Sequence, residues 1–128
     1  MTMLTLDLVI TKEDNSYKGS LTYNDNPLTQ TAPTIPELET QIKKLLWEFE
    51  SLDPDTVEFN HYYQCPAFFS EFAVLNKAQL AALTGLSSSQ LEAFSSGTKK
   101  PSPDEAEKIE NTLKDLASRL LKTSLVLS

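Results

Sequence analysis

The chain has 128 residues, 40% of them hydrophobic and 23% charged, with a formal net charge of −7; this composition suits one domain or two small ones and excludes collagen-like, mucin-like and low-complexity classes. No apolar run reaches the roughly 18 residues that cross a bilayer, and Asp7 interrupts Met1 to Ile10, so neither a membrane span nor a signal peptide is expected and the predicted location is cytoplasmic. A single cysteine, Cys65, and a single histidine, His61, are too few for an internal disulfide or a structural zinc site, and no cofactor or metal is expected.

Leu4, Leu6, Leu8 and Ile10 alternate with Thr5, Asp7, Val9 and Thr11, the two-residue period of a strand with one buried face. Asp14-Asn15-Ser16 supplies a turn. Tyr17, Gly19, Leu21 and Tyr23 then resume the alternation as far as Asn24-Asp25-Asn26-Pro27, which predicts a hairpin of two antiparallel strands. Leu28 to Ala32 carries a weaker strand signal. Thr34-Ile35-Pro36-Glu37 has the capping-box pattern with proline in the tolerant first turn, and predicts a helix start. Ile35, Leu38, Ile42, Leu45, Leu46 and Phe49 follow as one apolar stripe, with Glu39, Lys43, Lys44, Glu48 and Glu50 toward water. Burying six such side chains at about 1.5–3 kcal/mol each would hold this half together against chain entropy. Asp53-Pro54 is the predicted stop, and Thr56 to Tyr63 reads as a further strand with Val57, Phe59, His61 and Tyr63 on one side.

After Cys65-Pro66 the periodicity becomes helical, which divides the chain into residues 1–65 and 66–128. Ala67 to Val74 reads as a short aromatic helix. Asn76-Lys77-Ala78-Gln79 opens a second that closes at Gly85, and Ser87-Ser88-Ser89-Gln90 caps a third that runs to Ser96 and ends at Gly97. Ser102-Pro103-Asp104-Glu105 is a capping box with proline at the first helical position; the helix it opens carries Ala106, Ile109, Leu113, Leu116 and Leu120 on one stripe. Ser124 to Leu127 is a candidate terminal strand.

The segment Lys77 to Ser96 carries the most functional information. Two short helices that cross steeply need a small residue where they approach and a tight connection that favours glycine, and Ala81 and Gly85 answer those needs, with Leu80, Leu86, Leu91 and Phe94 to lock the pair onto its neighbours. An ordinary helical bundle shares many of these features. The continuation Phe94-Ser95-Ser96-Gly97-Thr98-Lys99-Lys100-Pro101-Ser102 resembles the end of the recognition helix in the phage-repressor-like helix-turn-helix family. That resemblance implies that the third helix enters the major groove of duplex DNA with Ser87, Ser88, Ser89 and Gln90 foremost and Glu92 and Ala93 next, while Lys77, Lys99 and Lys100 hold phosphates. Gln90 has the donor and acceptor that suit adenine. The helix itself holds no lysine or arginine, so a monomer making about three phosphate contacts would bind weakly, and a homodimer or higher homo-oligomer is expected. The alternative is a protein-interaction or dimerisation module that no longer binds DNA.

Two strands, a weaker third, a long helix and a further strand, followed by a helix-turn-helix, resemble the HicB-like antitoxins of type II toxin-antitoxin systems. Pro66-Ala67-Phe68-Phe69, Leu75-Asn76-Lys77, Leu83-Thr84-Gly85-Leu86, Ser96-Gly97-Thr98-Lys99-Lys100-Pro101 and Leu120-Leu121 carry the resemblance, which spans nearly the whole chain. It implies an α+β protein: an N-terminal antiparallel sheet with one long helix, a partial ribonuclease-H-like fold without catalytic carboxylates that covers a small basic toxin, and an all-α C-terminal domain that binds the operator of its own operon. The Pro-Gly-Cys stretch common in that family is missing between Asn26 and Pro33. Charge agrees with a basic partner for the first half: residues 1–65 hold four lysines against eleven carboxylates, whereas residues 66–128 are balanced at seven each.

Enzyme readings fare worse. His61 and Cys65 in one strand would lie about 13 Å apart, too far for proton transfer. Asp7, Asp14, Asp25 and Glu37 lack the spacing of a metal-binding carboxylate cluster, three glycines are too few for a phosphate loop, and Trp47, Tyr62, Tyr63, Phe68, Phe69 and Phe72 are expected in packing rather than as a stacking platform. No enzymatic activity is expected.

Overall fold

The computed structural model describes residues 3–126, and the chain divides into two compact units, one ending at Phe72 and the other beginning at Ala73. In the first unit the alternating sequence becomes strands β1 (Leu4–Glu13) and β2 (Ser16–Tyr23). The weak signal is a full strand, β3 (Asn26–Ala32), joined to β2 by the two-residue Asn24-Asp25 turn with both residues at positive φ, as a twisted hairpin requires. Helix α1 (Ile35–Glu50) follows, then a single 3-10 turn, Pro54–Thr56, strand β4 (Val57–Tyr63) and helix α2 (Cys65–Glu71).

The strand order is β3-β2-β1-β4. β1, β2 and β3 pair antiparallel, but β4 pairs parallel to β1, from Leu4 opposite Val57 to Ile10 opposite Tyr63. The expected purely antiparallel sheet is thus corrected to a mixed one. The physical reason is α1, which returns the chain to the end of the sheet where β1 begins, so that β4 starts in the same direction.

Thr34 caps α1 by accepting from the Glu37 N–H. The helix buries Ile35, Leu38, Ile42 and Leu46 against Leu8, Ile10, Tyr17, Leu21, Ala32 and Val57 in one apolar cluster. The close approach depends on Gly19: a Cβ there would lie 2.9 Å from the tip of Leu38, 3.0 Å from Ile42 and 3.1 Å from Leu8. α1 stops earlier than Asp53-Pro54, in a left-handed cap at Ser51, where the Ser51 and Leu52 N–H groups donate to the Trp47 and Leu46 carbonyls. Asp53 instead caps the 3-10 turn.

α2 begins at Cys65, two residues ahead of the expected start, and packs on the sheet. Ala67 joins the apolar cluster, Phe69 is buried, and the Tyr17 hydroxyl is hydrogen-bonded to the Ser70 hydroxyl at 2.9 Å. The units accordingly divide after Phe72, beyond the Cys65-Pro66 boundary read from periodicity.

The second unit is helical: α3 (Lys77–Thr84), α4 (Ser88–Ser96) and α5 (Pro103–Leu121). Leu80, Ala81, Leu91, Phe94 and Ile109 are its buried apolar side chains among the described residues. The candidate terminal strand is not formed over Ser124 to Val126, and Leu127 lies outside the described residues. Among the described residues no helix is long and apolar enough to cross a membrane.

Candidate functional site

α3 and α4 are separate helices because glycine and two caps separate them. Asn76 starts α3 by accepting from the Gln79 N–H, and Gly85 ends it in the left-handed region at φ 79. A Cβ on Gly85 would meet nothing within 4 Å, so glycine is required here by backbone conformation and not by close approach. Ala81, 4% exposed, is the small residue that packs inside. The Thr84 hydroxyl is buried, bonding to the Ala81 carbonyl and accepting from the Leu86 N–H, which orders the connection.

Ser87 then caps α4. Its hydroxyl accepts from the Gln90 N–H at 3.1 Å, and the Gln90 side-chain carbonyl accepts from the Ser87 N–H at 2.9 Å. The same amide group donates through Nε2 to Glu105 Oε2 at 3.0 Å. Glu105 Oε1 in turn accepts from the Ser102 N–H at 2.9 Å, while the Ser102 hydroxyl accepts from the Glu105 N–H at 3.2 Å. Two capping boxes are therefore joined end to end, tying the start of α4 to the start of α5. The Ser102 backbone hydrogen bond holds the Glu105 carboxyl below its ordinary range, with Lys99 and Lys108 adding to the effect.

The DNA-contacting residues expected from the sequence divide accordingly. Ser87, Ser88, Ser89 and Glu92 are exposed, and Glu92 pairs with Lys77 at 3.4 Å. Ala93 is half-buried. Gln90 is half-buried with both ends of its amide engaged inside the protein, which leaves it ill-placed for the bidentate adenine contact expected of it. Lys99 and Lys100 are exposed on the connection between α4 and α5, which the Lys99 N–H to Ala93 carbonyl bond and the Ser96–Thr98 hydroxyl pair hold in shape. Both capping boxes were visible as Ser-x-x-Gln and Ser-x-x-Glu; their union through Gln90 and Glu105 had no signal in the sequence, because it spans fifteen positions.

In the first unit His61 lies on β4 beside Glu39 of α1, with which it forms an ion pair when protonated. Cys65 is not on that strand but at the start of α2, half-buried, its thiol pushed up by burial, which suppresses the reactive thiolate. Tyr63, Phe68, Phe69 and Phe72 pack edge-on and tilted in one cluster, and burial followed by the nearby Glu71 and Glu39 carboxylates pushes the Tyr63 hydroxyl up to about 12. Among the described residues no group of three or more histidine, cysteine or carboxylate side chains is arranged to hold a metal ion. Comparison with family models, curated proteins and solved structures gives no match.

Proposed function

We propose that the chain is a HicB-like antitoxin and a repressor of its own operon, acting as a homodimer without enzymatic activity. In this reading α3 and α4 are a helix-turn-helix, and the observation that carries it is the exposed serine-rich first turn of α4, set off from α3 by a left-handed glycine and backed by a buried alanine. Ser88, Ser89 and Glu92 meet base edges, and Lys99 and Lys100 meet phosphates, helped by Lys77. Gln90 holds the helix in place. The first unit is the toxin-binding part, a partial ribonuclease-H-like fold; three antiparallel strands, a crossover helix and a fourth strand parallel to the first support that reading. Pairing of two chains is supported by α5, whose stripe runs from buried Ile109 through half-buried Leu113 and Leu116 to Leu120, 61% exposed.

The engagement of Gln90 and the carboxylate of Glu92 favour one rival, a protein-interaction module without DNA affinity. A gel-shift titration against the DNA upstream of the coding sequence, at about 50 and 200 mM salt, separates the two. Specific retardation that weakens with salt and disappears when Lys99 and Lys100 are changed to alanine is the expected result. No retardation at micromolar protein overturns the repressor.

A further inference from the structure

β4 ends the sheet on one side. The Gln64 N–H donates to the Ile10 carbonyl at 2.9 Å. Backbone groups along a strand alternate in direction, so those of Glu58, Asn60 and Tyr62 face β1 in phase with Gln64, and those of Phe59, His61 and Tyr63 face outward. Among the described residues no backbone hydrogen bond outside the sheet engages those three. An open edge is commonly shielded by proline, lysine or a bulge. β3, the opposite edge, has Pro27, whereas β4 has no proline, glycine or lysine and pairs with β1 without interruption from Val57 to Tyr63.

The strand is complementary to itself. Antiparallel pairing about a two-fold axis at Asn60 sets Phe59 opposite His61 of a second copy, both with outward backbone groups as a hydrogen-bonded pair requires, and Glu58 opposite Tyr62. Moving the axis to Phe59 or His61 leaves one end of the strand without a partner. Glu58 accepts from the Thr5 hydroxyl through Oε1 at 2.8 Å, so Oε2 is the acceptor for the hydroxyl of the opposing Tyr62, whose ring is 54% exposed. On the α1 side the same symmetry pairs opposite charges. Lys43 lies 5.9 Å from the centre of the Phe59 ring and Glu39 meets the His61 ring, so setting Phe59 opposite His61 brings each Lys43 toward Glu39 of the other copy. The first unit holds four lysines against twelve carboxylates, so two copies repel at long range; salt screens that repulsion beyond a Debye length and acts less on close pairs.

We propose that β4 pairs antiparallel with β4 of a second copy, centred on Asn60, which joins two sheets into one continuous sheet. The inference goes beyond the proposed function: it uses the first unit alone and not α5, and it stands whether or not the second unit binds DNA.

Disulfide trapping on the full chain, in a Cys65→Ser background, tests both pairing and register. Facing residues of a non-hydrogen-bonded antiparallel pair have Cα atoms about 4.5 Å apart, within disulfide reach, whereas the two copies of Glu58 would lie about 14 Å apart. Asn60→Cys is expected to give a covalent dimer under mild oxidation at about 0.15 M salt. Glu58→Cys and Tyr62→Cys are each expected to stay single chains alone and to cross-link when mixed. Lys43→Glu sets like charges against each other across the axis and is expected to slow trapping of Asn60→Cys about tenfold, and adding Glu39→Lys to restore it. An Asn60→Cys chain that stays single, a Glu58→Cys chain that traps as readily, or a Lys43→Glu change without effect or without rescue overturns the proposal. A chain that pairs through another surface, α5 included, fails the Asn60 test, and the gel shift is read separately from it.

Discussion

In the first unit side chains from four strands and two helices meet in one apolar cluster, whereas in the second, among the described residues, the buried apolar side chains are Leu80, Ala81, Leu91, Phe94 and Ile109, drawn from three helices. The second unit makes up for its small core at its helix ends. Asn76, Ser87 and Ser102 each accept a backbone N–H, worth about 1 kcal/mol apiece, and Gly85 and Gly97 close α3 and α4 in the left-handed region. Net charge divides as well, with twelve carboxylates against four lysines in the first unit and six against seven basic residues in the second. A unit held by packing tolerates a polar, acidic exterior; a unit held by caps fixes the direction of each helix and leaves its exposed serines in a set place.

The largest test of this contrast is Phe94→Ala. Removing a fully buried phenylalanine costs about 3–5 kcal/mol, which the small core of the second unit cannot absorb. Hydrogen exchange read by mass spectrometry is expected to show α3, α4 and α5 losing protection while β1 and β2 keep theirs. Loss of protection in both would mean that the chain melts as one cooperative body, and the contrast would fail.

The two structural glycines sharpen the comparison at a smaller scale, because they are needed for opposite reasons. Gly19→Ala crowds the tips of Leu38, Ile42 and Leu8 at 2.9–3.1 Å, and overpacking of this kind costs about 1–3 kcal/mol. Gly85→Ala meets open space but holds a φ of 79, at about 1–2 kcal/mol for an L-residue. Gly85→Asn is expected to recover part of that loss, since asparagine visits the left-handed region, whereas Gly19→Asn is expected to be worse than Gly19→Ala. Urea midpoints of the four variants check the pattern, and a Gly85→Asn variant less stable than Gly85→Ala would contradict it.

What could be read from the sequence follows the range of the interactions involved. Thr34, Asn76, Ser87 and Ser102 were found as caps, and Gly85 and Gly97 as stops, because each acts within four residues of itself. β3 was weak on paper because Pro27 and alternating polar residues hide its one inward face, and its formation rests on pairing with β2. The parallel course of β4 depends on where α1 delivers the chain, which no local pattern encodes. The stripe assigns Phe49 to the core, yet it is 70% exposed, because helix phase alone does not say how far the partner surface reaches. For the candidate site the serines at the start of α4 are legible from their capping position, and Lys99 and Lys100 from the resemblance of the segment that follows the helix, but Gln90 reads as a base contact because its bond to Glu105 belongs to another helix.

That bond yields the smallest prediction. Gln90→Ala removes the reciprocal half of one capping box and the link to the other, and is expected to cost about 0.5–1.5 kcal/mol. Glu105→Gln is expected to cost less in a Gln90→Ala background than in the unaltered chain, the signature of residues that act together. Acid provides a second view of the same pair. The folded carboxyl of Glu105 titrates below its unfolded value, so its contribution is fully present above the unfolded range, near about 4.3 for a free glutamate, and is lost as pH falls through the lower folded value. Melting curves of the second unit followed by circular dichroism between pH 6 and pH 2 are expected to show that loss, and Glu105→Gln to flatten it. If Glu105→Gln leaves the acid limb of the second unit as steep as before, other carboxylates carry it and the clasp between α4 and α5 contributes little to placing the serines.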